Sequence, residues 1–317
     1  MTISVMIATK DRRTDLLQTC RKLLLLDPAP SEILICADGC SDDTAEMIRA
    51  EFPGFILLTN ASAIGSAGSK GRMLRAASGD IVVSLDDDSY PLAPNFCASL
   101  LPLFEAHPEA AVICFPELRD GGEFADAFQT DESPGHYVGA YANCAAAMLR
   151  EVYLNQPGFP EFFFHAYDDP DYALQCYAAG YAVWFEPSIV IRHHRSAVNR
   201  GIMKVHFLHS RNELWSVWMR CPWPWIPLVS GFRILRQFQH ACSMGLSLVL
   251  REPVWWVQAL RGIRRCIRSR RAIPWSVYYG WMKLIRDQAL LPTRVPFSLP
   301  TKALDETALD KQLISQS

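Results

Sequence analysis

Four short apolar runs, Ile3 to Ala8, Glu32 to Ala37, Phe55 to Leu58 and Ile81 to Leu85, alternate with three stretches that carry apolar residues at helical spacing. Sustained over the first 85 residues, that alternation predicts a mostly parallel, doubly wound sheet. Thr14 or Asp15 can cap a first helix through Leu16, Leu17, Cys20, Leu23 and Leu24, which Pro28 and Pro30 end. A second helix spans Thr44 to Glu51. A third leaves the small-residue loop Gly65 to Gly71 and runs through Ala77. In open α/β sheets ligands gather outside the carboxyl ends of the strands, so chemistry is expected at those ends.

Two of the strand ends are acidic. The run from Ile81 to Leu85 closes on Asp86, Asp87 and Asp88, followed by Ser89-Tyr90-Pro91. Three adjacent anions repel one another unless a cation joins them. Hard oxygen ligands suit Mg2+ or Mn2+, above all when phosphate oxygens complete the shell. The period of two along a strand turns Asp86 and Asp88 to one side and Asp87 to the other. The expectation is a divalent metal on a nucleotide diphosphate, set against a solvated acidic turn. Asp38 closes the second strand beside Gly39, where an acid can hydrogen-bond a nucleoside. Asp42 and Asp43 sit where helix caps belong. The loop IGSAGSKGR lacks the G-x-x-x-x-G-K-[ST] order, yet Lys70 and Arg72 near a helix start could meet a diphosphate or be solvated charges.

Further along, Pro91 to Arg119 reads as a helix and then a strand over Ala111 to Phe115. Residues 116–138 read as a polar loop over the site, and Tyr137 to Leu149 is small and apolar. The stretch GFPEFFFHAYDDPDYALQCYAAGY places three acids in four residues, Asp168, Asp169 and Asp171, beneath an aromatic cluster. Asp169 fits a helix N-cap with Pro170 at the first helical position. Partly buried carboxylates can also have a raised pKa suited to proton abstraction. Val183 to Phe185 and Ile189 to Ile191 read as strands. The second runs into Arg192-His193-His194-Arg195, where a histidine can be a metal ligand or part of a basic surface patch.

A chain of 317 residues, half of them apolar, can bury a large core. Its net charge of −2 hides a split: residues 1–191 carry 11 Lys and Arg against 27 Asp and Glu, and residues 192–317 carry 20 against 6. Different partners for the two parts are expected. The ten cysteines include no C-x-x-C pair, which speaks against zinc or a disulfide framework and for a reducing, cytoplasmic setting. The N-terminus reads as a first strand and not as a signal peptide.

In order, SVMIATKDR, CADGCSDDT, SLDDDSYP, the GFPEFFFHAYDDPDYALQCYAAGY segment and EPSIVIRHH together resemble the inverting glycosyltransferases of family 2, over residues 3–200 or so. The resemblance implies a GT-A fold, a mostly parallel sheet flanked by helices. It implies a nucleotide-sugar donor, with UDP ahead of dTDP and GDP, and a divalent metal. Asp38 matches the acid at the nucleobase, and Thr9 lies in the loop that walls the base. Lys70 falls near a position usually basic, and Asp86 and Asp87 join the nucleotide-binding set. Asp88 matches the metal ligand, with His193 or His194 near metal and diphosphate. Asp169 matches the general base, beside Asp168. Ala37, Cys40, Lys10-Asp11 and Asp168 depart from the family's usual residues. A nucleotidyltransferase would need a Gly-rich opening loop, and TKDRRTD has no glycine. A non-catalytic scaffold that kept the fold is the other alternative.

Three parts are expected: a catalytic domain over 1–203, a basic, aromatic-rich helical extension over 204–299 and a polar tail over 300–317. RQFQHACSMGLSLVL and WWVQALRGIRRCIRSRRAIPW carry helical apolar stripes beside arginine clusters. Such helices suit the inner face of an anionic membrane, or they pack on the catalytic domain. A glycan or lipid-linked acceptor fits the first case. No nucleic-acid motif is present, and no run of 18 apolar residues predicts a spanning helix.

Overall fold

The computed structural model describes residues 1–124, 134–194, 201–286, 295 and 297–300. Arg195, the middle of the expected 116–138 loop and the expected tail beyond residue 300 lie outside the described residues. The chain opens with β1 (Ile3–Thr9), α1 (Arg13–Leu23), β2 (Glu32–Asp38), α2 (Thr44–Glu51), β3 (Ile56–Asn60), α3 (Gly65–Ala76) and β4 (Ile81–Asp86). It continues through β5 (Ser89–Pro91), α4 (Phe96–Ala106), β6 (Ala110–Cys114), β7 (Glu117–Arg119), β8 (His136–Tyr137), β9 (Ala145–Leu149) and α5 (Arg150–Leu154). After a 3-10 turn at Glu161–Phe163 come α6 (Asp168–Ala178), β10 (Ala182–Phe185) and β11 (Ile191–His193).

The eight-stranded sheet has the order β3-β2-β1-β4-β9-β6-β10-β8. β3, β2, β1 and β4 are parallel neighbours, as the alternation predicts. β9 runs antiparallel between β4 and β6, so the sheet is mixed. Its sequence, AAAML, has helical propensity. It is a strand because it fills the gap between two strands, with Ala145 to Met148 buried. The order reverses at β1, with β2 on one side and β4 on the other, and the carboxyl ends there frame a crevice. A second, three-stranded sheet has the order β5-β11-β7. Pairing with β5 and β7 puts β11 at Ile191–His193, two residues beyond the expected strand.

The basic third is helical: α7 (Ile202–Arg220), α8 (Ile226–Met244), α9 (Leu246–Val249), α10 (Glu252–Arg261), α11 (Ile263–Arg268) and α12 (Trp275–Arg286). α7 is the axis of this layer, with Leu214, Trp215, Val217 and Met219 buried. It is locked to α6 by a buried network. Asp171 accepts from Arg220 Nη2 at 2.8 Å, Arg220 Nε at 3.1 Å and Ser216 Oγ at 2.6 Å. α12 returns to the sheet layer, where the Trp281 indole donates to the Gly139 carbonyl at 2.6 Å. None of the described helices is long and apolar enough to cross a membrane.

Candidate functional site

The three carboxylates at the end of β4 and just beyond it divide between two sides. Asp87 turns back under β1, accepting from Thr9 Oγ1 at 2.8 Å and from Arg12 Nη1 at 2.9 Å. Its carbonyl accepts from Thr19 at 2.8 Å. It therefore pins the loop after β1 to the end of β4. Burial lifts its carboxyl to about 6, with Arg12 opposing and Asp88 adding to the rise. Asp86 and Asp88 both lie beside His193, in line with the strand period, while Asp88 Oδ2 also stands 3.7 Å from Arg12.

Asp86 is the least buried of the three and accepts from Lys70 Nζ at 3.0 Å. Lys70 is buried one turn into α3, and it also donates to the Asn143 carbonyl at 3.0 Å. Burial works against its charge, yet Asp86 and Asp168 hold the ammonium protonated above its ordinary range. The converse holds for Asp86: burial would raise its carboxyl, but Lys70 and His193 keep it well below the carboxylate range.

β11 brings His193 over these acids. Its Nε2 stands 3.2 Å from Asp88 Oδ1 and its Nδ1 2.6 Å from Glu117 Oε2. Burial would lower the imidazole, but hydrogen bonds to Asp88 and Glu117 raise it to about 9. The next residue, His194, faces the opposite side, at 3.1 Å from the Tyr90 hydroxyl and 2.8 Å from Asp120. Of the histidine pair, only the His193 ring lies beside the Asp88 carboxylate. Asp86 and Asp88 each lie beside His193, and carboxylate and imidazole donors are of the kind that suits Mn2+, but the donors gathered within 4.8 Å of one another are those of Asp86, Cys144 and His193. Glu117 on Nδ1 fixes the ring as such sites require. Cys144 lies within 4.8 Å of the Asp86 and His193 donors, but burial pushes its thiol far up, so it is no ligand for a hard cation.

Asp38 is nearly buried at the end of β2. It accepts from Asn60 Nδ2, Ile64 N and Gly65 N, each at 2.8 Å. Its carboxylate thus caps the amino end of α3. Gly65 is needed there: φ is +85°, and a Cβ would sit 2.0 Å from the Phe164 carbonyl oxygen.

That contact leads to the second acidic group. Phe164, Ala166 and Tyr167 have left-handed φ of 66°, 69° and 66°. Tyr167, not Asp169, occupies the N-cap of α6, because the turned backbone starts the helix two residues earlier than Pro170 suggests. The turn is held by α7. Asn212 Nδ2 donates to the carbonyls of Phe163 at 3.0 Å, His165 at 2.8 Å and Ala166 at 2.8 Å, and Arg211 donates to Phe163 O at 2.9 Å. Asp168 and Asp169 then lie in the first helical turn. Asp168 accepts from Asn143 Nδ2 at 3.1 Å, so Asn143 links it to Lys70. Burial, with Asp168 beside it, pushes the Asp169 carboxyl well above its ordinary value.

A cavity of about 970 Å³ opens at the strand ends beside Asp38, Asp86, Asp87 and His193 and reaches Phe164 and His165 of the turn, while Asp88, Asp168 and Asp169 lie outside its lining. One wall is Thr9, Lys10, Arg12, Asp38, Asp86, Asp87 and His193. The other comes from α7 and α8 and includes Lys204, His206, His209, Arg236 and His240. The sequence reading did not single out Glu117, Asn143, Asn212 or this second wall. Glu117 opens β7, three residues beyond the end of β6, so it lacks the strand-end signal that marks Asp38 and Asp86.

No curated protein sequence matches this chain. Among solved structures it is similar to the mannosyltransferase PcManGT of Pyrobaculum calidifontis in complex with GDP-Man and Mn2+, at 17% identity and TM-score 0.56 over 91% of this chain and 86% of that one. S. aureus TarS 1-349 in complex with UDP-GlcNAc is similar at 12% identity and TM-score 0.58, over 90% and 89%. GalNAc-T7 with UDP, GalNAc and Mn2+ is similar at 13% identity and TM-score 0.61, over 96% of this chain and 59% of that one. At such identities these likenesses concern the GT-A fold. The sequence itself carries the kinship: residues 4–165 match the profile of Glycosyl transferase family 2, a span that holds Thr9, Asp38 and the Asp86–Asp88 strand end, and the chain belongs to that family.

Proposed function

We propose that this chain moves a sugar from a nucleotide-diphosphate donor, a UDP-sugar by preference, to a hydroxyl of a glycan or lipid-linked glycan, with inversion. The observation that carries the reading is the pairing of two acid groups with opposite character. Asp86 is held ionised by Lys70 beside His193, whereas Asp169 is made basic by burial and by Asp168. PcManGT holds a GDP-sugar with Mn2+, and the TarS structure a UDP-sugar.

Asp88, His193 and Asp86 would hold the divalent metal, which when bound neutralises charge on the leaving diphosphate as a Lewis acid. Lys70, fixed between Asp86 and the Asn143 carbonyl, adds a permanent positive charge at the same strand end. The first wall of the cavity receives the nucleotide. Asp87 keeps Thr9 and Arg12 in place there, and Asp38 shapes the amino end of α3. Asp169 takes the proton of the acceptor hydroxyl, which attacks the anomeric carbon from the face opposite the leaving group. One displacement inverts the configuration, with no covalent nucleophile. The acceptor enters along the α7–α8 wall.

The test is a melting panel of UDP, dTDP, GDP and CDP with and without Mn2+, joined to transfer assays. A ligand bound only by the native state raises the melting temperature. A metal-dependent rise with one nucleotide, lost in Asp88→Ala, is expected. Asp169→Asn should keep that rise and lose transfer by about 10²-fold or more. A folded protein that responds to none of the four would sink the reading.

A further inference from the structure

We propose that the outward faces of α8 to α11 form a docking surface for an anionic lipid bilayer. On α8, Val229, Arg233, Gln237 and Ala241 face inward, while Leu228 is 67% exposed and Phe232 59% exposed. Over α9 to α11 the division repeats. Leu248, Trp255, Ala259 and Cys266 are buried, and Leu246, Leu250, Leu260 and Ile267 stand in solvent, the first two at 72%. Single exposed leucines are ordinary. A succession of them at helical spacing over four helices is a surface waiting for a cover.

Charge identifies the cover. Residues 221–286 hold eleven Lys and Arg and a single acid, Glu252. Glu252 is fully buried, and its carboxylate meets His206 Nε2 at 2.6 Å. No carboxylate is therefore presented by this segment, whereas Arg251, Arg261, Arg264 and Arg268 are exposed among the leucines. A nucleic acid would use the arginines and leave the leucines wet. An apolar protein groove would leave the arginines without counter-charge. An anionic bilayer takes both, with apolar side chains in the acyl boundary and guanidinium groups among the headgroups. With no helix able to span, the mode is one of lying on the surface. α8 also supplies Arg236, Gln237 and His240 to the cavity wall, so docking sets the cavity beside the headgroups. Only that last step, which favours a lipid-linked acceptor, rests on the transferase reading.

The experiment is flotation of the full chain with phosphatidylcholine vesicles, with and without phosphatidylglycerol, at low and high salt. The protein should float with the anionic vesicles and detach as salt rises. Leu246→Asp with Leu250→Asp should weaken binding by about tenfold or more per leucine. Arg264→Glu with Arg268→Glu should weaken it by about fivefold or more per arginine and flatten the salt dependence. All variants should keep the wild-type melting temperature and nucleotide response, which separates this surface from the cavity. Failure of the folded wild type to float overturns the proposal. So does flotation that the leucine variants leave intact while a single-stranded RNA probe competes, the mark of a general polyanion site. A dimer in solution that the leucine variants dissolve would assign the face to a second copy of the chain.

Discussion

Asn212 offers a sharp test of how the site is assembled. It is fully buried on α7 and donates to three carbonyls of the Phe163–Ala166 turn. Phe164 and Ala166 of that turn, and Tyr167 just after it, have left-handed φ, at about 1–2 kcal/mol each. The amide has two N–H donors shared among the three carbonyls, so its hydrogen bonds offset about 2 kcal/mol of that strain. Replacing Asn212 by Ala removes the offset, and the turn should relax toward ordinary backbone. We expect a loss of about 2–4 kcal/mol in urea denaturation. Asp169 begins three residues beyond Ala166, and a displacement of about 1 Å in a reacting group costs on the order of 10²-fold in rate. Transfer turnover should fall by about that factor, with the nucleotide-induced melting shift retained. Asn212→Asp keeps the volume but presents oxygens to three carbonyls. If donation matters, it is worse than Ala; if packing matters, it is better. Wild-type turnover in Asn212→Ala would refute the reasoning.

Other outcomes follow from the same geometry. Asp171→Asn leaves Arg220 buried without its charge partner, and a loss of about 3–5 kcal/mol in urea melts is expected; a change under about 1 kcal/mol would contradict the network. Glu117→Gln should weaken Mn2+ binding, read by calorimetry, by about 10–100-fold, and unchanged affinity would remove Glu117 from the histidine's support. Because the Asp169 carboxyl is raised, transfer should fail on the acid side at a higher pH than an ordinary carboxylate would impose. The same shift has the opposite sign for stability: it contributes below the unfolded pKa and is lost as pH rises through the folded one. Asp168→Asn removes one cause of the rise and should move the acid limb of the pH–rate profile downward; a limb that stays in place counts against Asp169 as the base.

The acids at the strand ends were legible because strand ends declare themselves. Short β-branched runs stop at Asp38 and at Asp86–Asp88, and alternation alone separates Asp87 from its neighbours. The same alternation separates His193 from His194, though on sequence both stood as ligands. What stayed hidden depends on contacts distant in the chain. Asp38 is a strand-end acid, but only the fold shows its oxygens committed to Asn60, Ile64 and Gly65. The sequence Asp-Asp-Pro-Asp suggests a cap at Asp169. The cap moved to Tyr167 because Asn212 bends the backbone from a helix some 45 residues away. Ala145–Leu149 has no strand signature, since its strandedness comes from β4 and β6. The second wall of the cavity was illegible for the same reason, as its histidines and arginines lie on helices whose partners no local pattern names.

The Asn212 clamp also bears on the order in which a newly made chain becomes competent. Ribosomes deliver residues from the amino end, and domains fold as units while synthesis proceeds. Every carboxylate of the crevice, from Asp38 to Asp169, has been delivered before Asn212, yet the turn ahead of Asp169 lacks its amide donor until α7 has emerged. A nascent chain stalled in this interval would carry the strand-end acids without the turn that fixes Asp169. The setting of Asp169 therefore waits on α7.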